Sequence, residues 1–221
     1  MPPISYPDET AAYRAARNEL LEAERALRRQ LDEVATLRRA LPDGGRVPEP
    51  YQFIEATGMP GQPLEIDALF ARPEQSLVIY SYMFGDAAAP CPMCTSFLDG
   101  LNAVAKQLLA HVNLAVVATA SPLALHRWAN ERGWQSLSFF SDGDGQYSRD
   151  YLGTAPDGSL LPMLNVFRRS ASGIRHHYGS ELLFADPEPG QHPRHLDLLM
   201  PHWNLFDLIP EGRPAAGVPV L

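Results

Sequence analysis

Apolar side chains near the start of the chain recur with the spacing of a long amphipathic helix. No glycine or proline interrupts residues 8–41, which are rich in Ala, Leu, Arg and Glu and therefore favour helix. The apolar residues occupy a and d positions of a heptad pattern, with Gln30 the one polar exception: Tyr13, Ala16, Leu20, Ala23, Leu27, Val34, Leu37 and Leu41. Pro42 and two glycines end the pattern, so residues 1–46 are predicted to form an N-terminal helical segment.

From residue 47 to residue 185 the pattern changes to short strands that alternate with helices. Strands are predicted at YQFIEA, SLVIYSYM, NLAVVAT, SLSFF, MLNVFRR and IRHHYGS, and helices after Cys91, after Ser121 and at YSRDYLG. The almost wholly apolar SLVIYSYM, residues 76–83, is typical of a central strand that is buried on both faces. The alternation predicts an α/β fold with a mixed sheet and helices on both faces.

The last segment, residues 186–221, is rich in proline and histidine. Its most apolar stretch is MPHWNLF, residues 200–206, whose large side chains are of the kind that pack against a core. We therefore predict a C-terminal extension that packs on the α/β domain.

Composition and charge narrow the classes of function. The 221 residues carry a net charge of -8, whereas a nucleic-acid-binding protein needs a basic face. No run approaches the roughly 20 apolar residues that cross a bilayer, and the first residues lack the apolar core of a signal peptide. We expect a cytoplasmic protein with neither a nucleic-acid nor a membrane partner.

The apolar stripe of the first helix needs a partner surface, because so long a stripe is unfavourable in water. Residues 8–41 are neutral overall, with seven acidic and seven basic side chains. The helix either lies on the core of its own chain, pairs with the same helix of a second copy, or binds another protein. Among these three arrangements we predict the homodimer.

The only two cysteines of the chain, Cys91 and Cys94, lie three positions apart at a predicted strand-to-helix junction. Because the helix opens at Pro92, Cys91 is expected at the N-cap and Cys94 one turn inside. Free amide N–H groups and the helix dipole favour an anion there, which lowers the pKa of the Cys91 thiol. In a reducing compartment, two close cysteines indicate redox or metal chemistry more than a structural disulfide.

This placement predicts separate roles for the two thiols. Cys91 attacks a substrate disulfide, and Cys94 resolves the resulting mixed disulfide. Pro92 suits the first helical position, where no N–H is needed, and Pro92 and Met93 are expected to line the substrate groove. The substrate is a protein or small-molecule disulfide, and no organic cofactor is implied.

The predicted central strand carries no aspartate that could move a proton to or from Cys94. Tyr80 or Tyr82 could take that role, although buried tyrosines in strands usually serve packing.

A set of ordered landmarks resembles one family. They are the helix end RRALP, then LEIDALF, LVIYSYMFG, the CPMC box, FFSDGDGQYSRDYLG and NLFDLIPEGR. Together they span about residues 10–213, and they resemble a thioredoxin-like domain-of-unknown-function family of predicted dithiol-disulfide oxidoreductases, in the peroxiredoxin-like branch of the fold. The resemblance implies a thioredoxin-like three-layer fold with a mixed central sheet, plus the long N-terminal helix, and thiol-disulfide oxidoreductase activity. It also implies that Pro162 is a cis proline that faces the dithiol across the substrate groove.

Three other functions stay open at this point. Cys91 and Cys94 could bind copper or zinc together with a histidine, because thiolate and imidazole suit both metals, although no spacing completes a four-ligand pattern. The histidines of the second half that come into question are His176, His177, His192, His195 and His202. A thiol peroxidase is the second alternative, but peroxiredoxins carry Thr or Ser where this chain has Ala88. The third is a sensing scaffold whose dithiol only reports oxidation.

Overall fold

The structure is a computed structural model that describes residues 5–48, 51–59, 61–87, 89–186, 188–189 and 199–213. The chain divides into two compact units, Met1–Pro42 and Asp43–Leu221. None of the helices in the described part of the chain is long and apolar enough to cross a bilayer.

The first unit is a single long helix, α1, over Ala11–Arg39. It begins where the Thr10 side chain accepts a hydrogen bond from the Tyr13 amide, as N-cap threonines do. Arg38 and Arg39 lie in the last turn, where positive charge is favourable for the helix dipole. Every residue of α1 is described, and none of them is buried.

The second unit is built on a seven-stranded sheet in the order β2-β1-β5-β4-β3-β6-β7. The strands are β1 Gln52–Glu55, β2 Pro63–Glu65, β3 Leu77–Ser81, β4 Asn113–Ala118, β5 Phe139–Asp142, β6 Met163–Ser170 and β7 Gly173–Gly179. The helices are α2 Pro92–Leu108, α3 Pro122–Arg132, α4 Gln146–Asp150 and α5 Pro201–Phe206, with 3-10 turns at Ile66–Leu69 and Glu181–Leu183. Strand β3 lies inside the sheet, and four of its five residues are buried, as its apolar sequence predicts.

The connections define a thioredoxin-like fold. Strand β3 leads through α2 to β4, which pairs with it in parallel, and β4 leads through α3 to β5, again in parallel. On its other side β3 pairs antiparallel with β6, which continues into the hairpin strand β7. This mixed sheet, with the C-x-x-C box directly after its central strand, confirms the predicted fold class.

Two hydrophobic clusters cover the two faces of the sheet. The thiol face packs α2, α3 and α5 against β3, β4 and β5, through buried side chains that include Tyr80, Phe97, Leu125, Trp134 and Trp203. The opposite face packs the N-terminal strands, the first 3-10 turn and α4, through side chains that include Tyr51, Phe53, Phe70, Tyr147 and Phe167. The sheet is therefore the middle layer of three.

Candidate functional site

The two cysteines lie where the sequence predicts them, at the start of the helix that follows β3. Cys91 is the N-cap residue of α2, and Pro92 occupies the first helical position. The Cys91 amide donates a hydrogen bond of 3.0 Å to the Met83 carbonyl, which ties the loop back to the end of β3. The Cys91 sulfur accepts a hydrogen bond from the Cys94 amide at 3.4 Å, so the sulfur itself caps the helix.

A chain of hydrogen bonds holds the backbone of Cys91 in place. The Trp128 indole N–H donates to the Tyr82 hydroxyl at 2.9 Å, and an indole nitrogen can only donate. The Thr95 hydroxyl donates to the Cys91 carbonyl at 2.9 Å. The bond of 2.7 Å between the Tyr82 and Thr95 hydroxyls must then run from tyrosine to threonine, so all the donors point towards Cys91.

The two thiols sit in different electrostatic environments. Cys91 is half-buried, and its pKa is lowered to about 6, first by a hydrogen bond from the Cys94 thiol, which outweighs the opposing effect of burial, and then by the amides of Cys94 and Met93. Cys94 is buried, and its pKa is raised, first because its proton is held by the Cys91 sulfur and second by burial. At neutral pH the pair therefore holds one negative charge on Cys91 and one proton on Cys94.

The Tyr80 side chain lies beside Cys94 in the interior of the thiol face. Tyr80 is 1% exposed, and its hydroxyl has no hydrogen-bond partner among the described residues. Tyr80 packs in the same buried cluster as Cys94, with its ring on Phe97 at a centroid separation of 4.8 Å. Burial is the main reason that the pKa of Tyr80 is raised well above its usual range, so this phenol keeps its proton.

The predicted groove residues have different positions. Pro92 is exposed, and Met93 is half-buried against the hydrophobic cluster of the thiol face. Pro162 is half-buried and directly precedes Met163, which pairs with Ser81 at the end of β3. Pro162 therefore lies beside the end of β3, where the loop to the dithiol begins.

The prediction that the Leu161–Pro162 bond is cis is wrong. None of the peptide bonds in the described residues is cis. The trans form is the more stable one for an X–Pro bond, unless a tight turn requires the other. Here the chain enters β6 as an extended segment, anchored by the hydrogen bond from the Leu161 amide to the Gly153 carbonyl, so no such turn is present.

The histidines do not join the dithiol in the described part of the chain. His176 bonds to the Asn165 side chain at 3.0 Å, and its ring packs on Phe167 of the opposite face. His202 packs against Trp203, and no group of three or more His, Cys, Asp or Glu among the described residues could hold a metal ion. His192, His195 and Ala88 lie outside the described residues.

Sequence reasoning missed Thr95 and Trp128, because they contribute through contacts between elements that are distant in the chain. Thr95 lies four residues after Cys91, one helical turn on, and this spacing is the one signal that could have indicated a bond to the Cys91 carbonyl. Trp128 reaches Tyr82 across 46 positions of sequence, for which a single sequence gives no signal.

A cavity of about 260 Å³ has Tyr151, Asn165 and His176 in its lining but neither cysteine.

The sequence matches a family model along almost its whole length. Residues 4–220 match the family described as "Bacterial protein of unknown function (DUF899)". The chain belongs to this family. No curated protein matches the chain.

Several solved structures resemble the chain in fold at low sequence identity. A peroxiredoxin-like protein from Aquifex aeolicus is 18% identical with a TM-score of 0.49, over 72% of this chain and 84% of that one. The mitochondrial 2-Cys peroxiredoxin from Plasmodium falciparum is 13% identical with a TM-score of 0.48, over 79% and 98%. Peroxidoxin BcpB from Mycobacterium tuberculosis is 18% identical with a TM-score of 0.45, over 62% and 86%.

Proposed function

We propose that this DUF899 protein is a thiol-disulfide oxidoreductase, with Cys91 as the nucleophile and Cys94 as the resolving thiol. The observation that carries the proposal is the unequal placement of the pair, with a half-buried Cys91 sulfur that caps α2 and a buried Cys94 one turn inside. The hydrogen bond from the Cys94 thiol, followed by the amides at the start of α2, lowers the pKa of Cys91, whereas the same bond and burial raise the pKa of Cys94. A thiolate is the attacking species in disulfide exchange, and a protonated neighbour does not compete with it.

The reaction takes place in two exchange steps. In the first, the Cys91 thiolate attacks one sulfur of the substrate disulfide, forms a mixed disulfide, and releases the other substrate sulfur as a thiolate. In the second, Cys94 gives up its proton and attacks the Cys91 sulfur, so that a Cys91–Cys94 disulfide forms and the second substrate thiol leaves. Two electrons have passed to the substrate, whose two sulfurs end as thiols once protonated. The same steps in reverse oxidise a dithiol substrate.

The residues around the pair fit these steps. The half-buried Cys91 sulfur is the accessible one, and Cys94 waits within one helical turn. Pro92 and Met93 separate the thiols, and Pro162 lies beside the end of β3, so these three are the proposed lining of the substrate groove. Stabilisation of the thiolate favours the reduced form, and we expect a potential of roughly -270 to -180 mV.

Oxidised glutathione is a suitable probe, because it is a small disulfide that any exposed thiolate can attack. The variant Cys94→Ser should trap one glutathione on Cys91, whereas Cys91→Ser should trap none on buried Cys94. The wild-type protein should instead finish with an internal disulfide, detected by mass spectrometry after thiol alkylation. A wild-type protein that forms no disulfide under strongly oxidising glutathione, yet purifies with stoichiometric copper or zinc, would establish the metal-binding alternative.

Hydrogen peroxide separates the proposal from the peroxidase alternative. We expect the glutathione reaction to be faster than the peroxide reaction at equal concentration, because the chain has Ala88 where peroxiredoxins carry Thr or Ser. A protein that consumes peroxide rapidly through Cys91 and ignores glutathione would be a peroxidase, and the proposal would fail.

A further inference from the structure

The first unit of the chain consists of one helix, and a single helix cannot cover its own apolar stripe. Tyr13, Leu20 and Leu27 are each more than 45% exposed, and Leu37 is 68% exposed. The stripe follows the a and d positions for four heptads, the pattern with which helices pair. The distribution of charge along the helix indicates what covers the stripe.

The charges of this segment divide sharply at its midpoint. Residues 8–24 carry five carboxylates and two arginines, a net charge of -3. Residues 25–41 carry five arginines and two carboxylates, a net charge of +3. The switch falls between Glu24 and Arg25, which is also close to the centre of the stripe from Tyr13 to Leu37.

We propose that α1 pairs with α1 of a second copy in the antiparallel orientation. In that orientation each acidic half lies beside a basic half, whereas a parallel pair would place like charges together along its whole length. A two-fold rotation axis exchanges the two helices of this antiparallel pair, which is the symmetry of a closed homodimer.

The rest of the same chain is a poorer partner for the stripe. Residues 8–41 are neutral, so the entire net charge of -8 lies in the rest of the protein. An acidic surface attracts the basic half of α1 and repels the acidic half, while a second copy of α1 complements both halves.

Sedimentation equilibrium on two charge variants tests the pairing. The change of Arg25, Arg28 and Arg29 to Glu gives both halves of the segment a net negative charge. The change of Glu19, Glu22 and Glu24 to Arg gives both halves a net positive charge. Each variant alone should dissociate at a concentration at least about tenfold higher than the wild type does. An equimolar mixture should recover the dimer. Circular dichroism checks that each variant keeps its helix, and a wild type that is monomeric at micromolar concentration would overturn the proposal.

Cross-linking tests the orientation separately. In the Cys91→Ser, Cys94→Ser background, one preparation carries Ala12→Cys and another carries Ala40→Cys. These positions are about 42 Å apart along one helix, so only an antiparallel pair brings position 12 of one copy near position 40 of the other. Mild oxidation of the mixture should therefore give the disulfide between the two preparations. Cross-links within each preparation alone would show a parallel pair and refute the antiparallel assignment.

A second inference concerns Tyr80 and rests on the proposed function. Resolution of a mixed disulfide requires a Cys94 thiolate in the interior, where no water solvates it. The titratable groups around Cys94 are Cys91, Tyr80 and Tyr82, and Cys91 is uncharged once it carries the substrate. Tyr82 already donates its hydroxyl proton to Thr95, so the Tyr80 hydroxyl is the remaining donor for a Cys94 thiolate.

We infer that the Tyr80 hydroxyl donates a hydrogen bond to the Cys94 thiolate during the second exchange step. The phenol is not a base here, because it keeps its proton throughout. Its hydrogen bond takes the place of solvent and stabilises the buried Cys94 thiolate, because hydrogen bonds to charged groups are among the strong ones.

The variant Tyr80→Phe isolates this bond, because it removes one oxygen and leaves the ring packing on Phe97. With oxidised glutathione, formation of the mixed disulfide on Cys91 should keep its wild-type rate. Its resolution should slow about tenfold or more, as loss of a hydrogen bond to a charged group predicts. The matched control is Tyr147→Phe on the opposite face, which should leave both steps unchanged.

A second measurement separates this inference from the proposed function. In the Cys91→Ser background, the pH dependence of Cys94 alkylation should move to higher pH when Tyr80→Phe is added. This shift does not require any turnover, so it can be present even if the glutathione trap fails. Equal pH profiles, or equal resolution rates, would show that Tyr80 serves packing only.

Discussion

The two faces of the central sheet both bury polar groups among aromatic rings, but they satisfy them differently. On the thiol face, Trp128, Tyr82 and Thr95 form one directed chain of hydrogen bonds that ends on the Cys91 carbonyl. On the opposite face, the Ser81 and Tyr147 hydroxyls and one carboxylate oxygen of Asp142 have no bond of good geometry.

The contrast indicates which face must hold its geometry. A saturated chain of bonds with one direction fixes a backbone position, and here that position belongs to the residue whose sulfur caps α2. On the opposite face, where the Ser81, Tyr147 and Asp142 groups lack such bonds, the buried rings supply packing. Among the described residues of the thiol face, the Tyr80 hydroxyl is an exception, because it is buried beside Cys94 without a hydrogen-bond partner.

The largest expected effect comes from the middle of the directed chain. Thr95→Val keeps the shape of the side chain, but it removes the acceptor of Tyr82 and a donor to the Cys91 carbonyl. Tyr82 is buried and still accepts the Trp128 bond, but its hydroxyl proton would have no acceptor, so the free energy of unfolding should fall by about 1–3 kcal/mol, measured by urea denaturation. The matched change on the opposite face, Tyr147→Phe, removes a hydroxyl without a good partner and should cost close to nothing. Equal costs for the two variants would erase the contrast between the faces.

Glycine substitutions compare the packing of the two faces. A Cβ at Gly153 would lie 3.0 Å from the Ser81 hydroxyl and 3.3 Å from the Ser148 Cα, so Gly153→Ala should destabilise the protein by about 1–2 kcal/mol. Gly100 lies inside α2 with no atom within 4 Å of the added carbon, so Gly100→Ala should stabilise by about 0.5–1 kcal/mol. Thermal denaturation of the two variants measures both signs, and a stable Gly153→Ala protein would show that the opposite face is loosely packed.

The sequence predicted the elements that depend on local chemistry. The N-cap position of Cys91 followed from Pro92 and from the end of an apolar strand, and the structure confirms it. The central position of β3 followed from its continuous apolar run. Strand β5 was predicted three residues early, because SLSFF has the right composition while the pairing with β1 and β4 selects Phe139–Asp142.

What the sequence did not predict depends on contacts between distant elements. The partner of Tyr82 is Trp128 on α3, and no local pattern specifies that meeting. Asp142 lies in SDGDG, residues 141–145, which has the composition of a turn, but it is the last residue of β5 and 1% exposed. Burial of a carboxylate is a property of the folded sheet, and the sequence motif around it is that of a turn.

The pH dependence of Cys91 alkylation tests how the Cys94 thiol affects the pKa of Cys91. The first cause of its lowered pKa of about 6 is the bond from the Cys94 thiol, so Cys94→Ala should raise the pKa of Cys91. The amides of Cys94 and Met93 remain, but burial opposes them, so most of the lowering should disappear. Cys94→Ser keeps a hydroxyl donor and should raise it less. Rates of alkylation between pH 5 and 9 give the three curves, and identical curves would remove the role of the Cys94 proton.

The smallest expected effect is on the opposite face, at Asp142. One oxygen of this carboxyl accepts the Ser148 amide at 2.7 Å and the other has no partner, and burial raises the pKa of the group. A raised pKa means that the folded state holds the proton to higher pH than the unfolded state, whose value is about 3.9. The stability contributed by this group is therefore present below about pH 4 and is lost as the pH rises through the folded value.

Asp142→Asn cannot ionise and should lack that fall in the free energy of unfolding, measured by urea denaturation at several pH values from 4 upwards. The control is Asp144→Asn, two residues further on, where the side chain is exposed and accepts the Gln146 amide. It should keep the wild-type slope, because that carboxylate remains in water. If Asp142→Asn also keeps the wild-type slope, the Asp142 carboxylate is ionised at little cost. The ionised Asp142 carboxylate would then be stabilised by a partner other than the Ser148 amide, and the two faces would not differ in this respect.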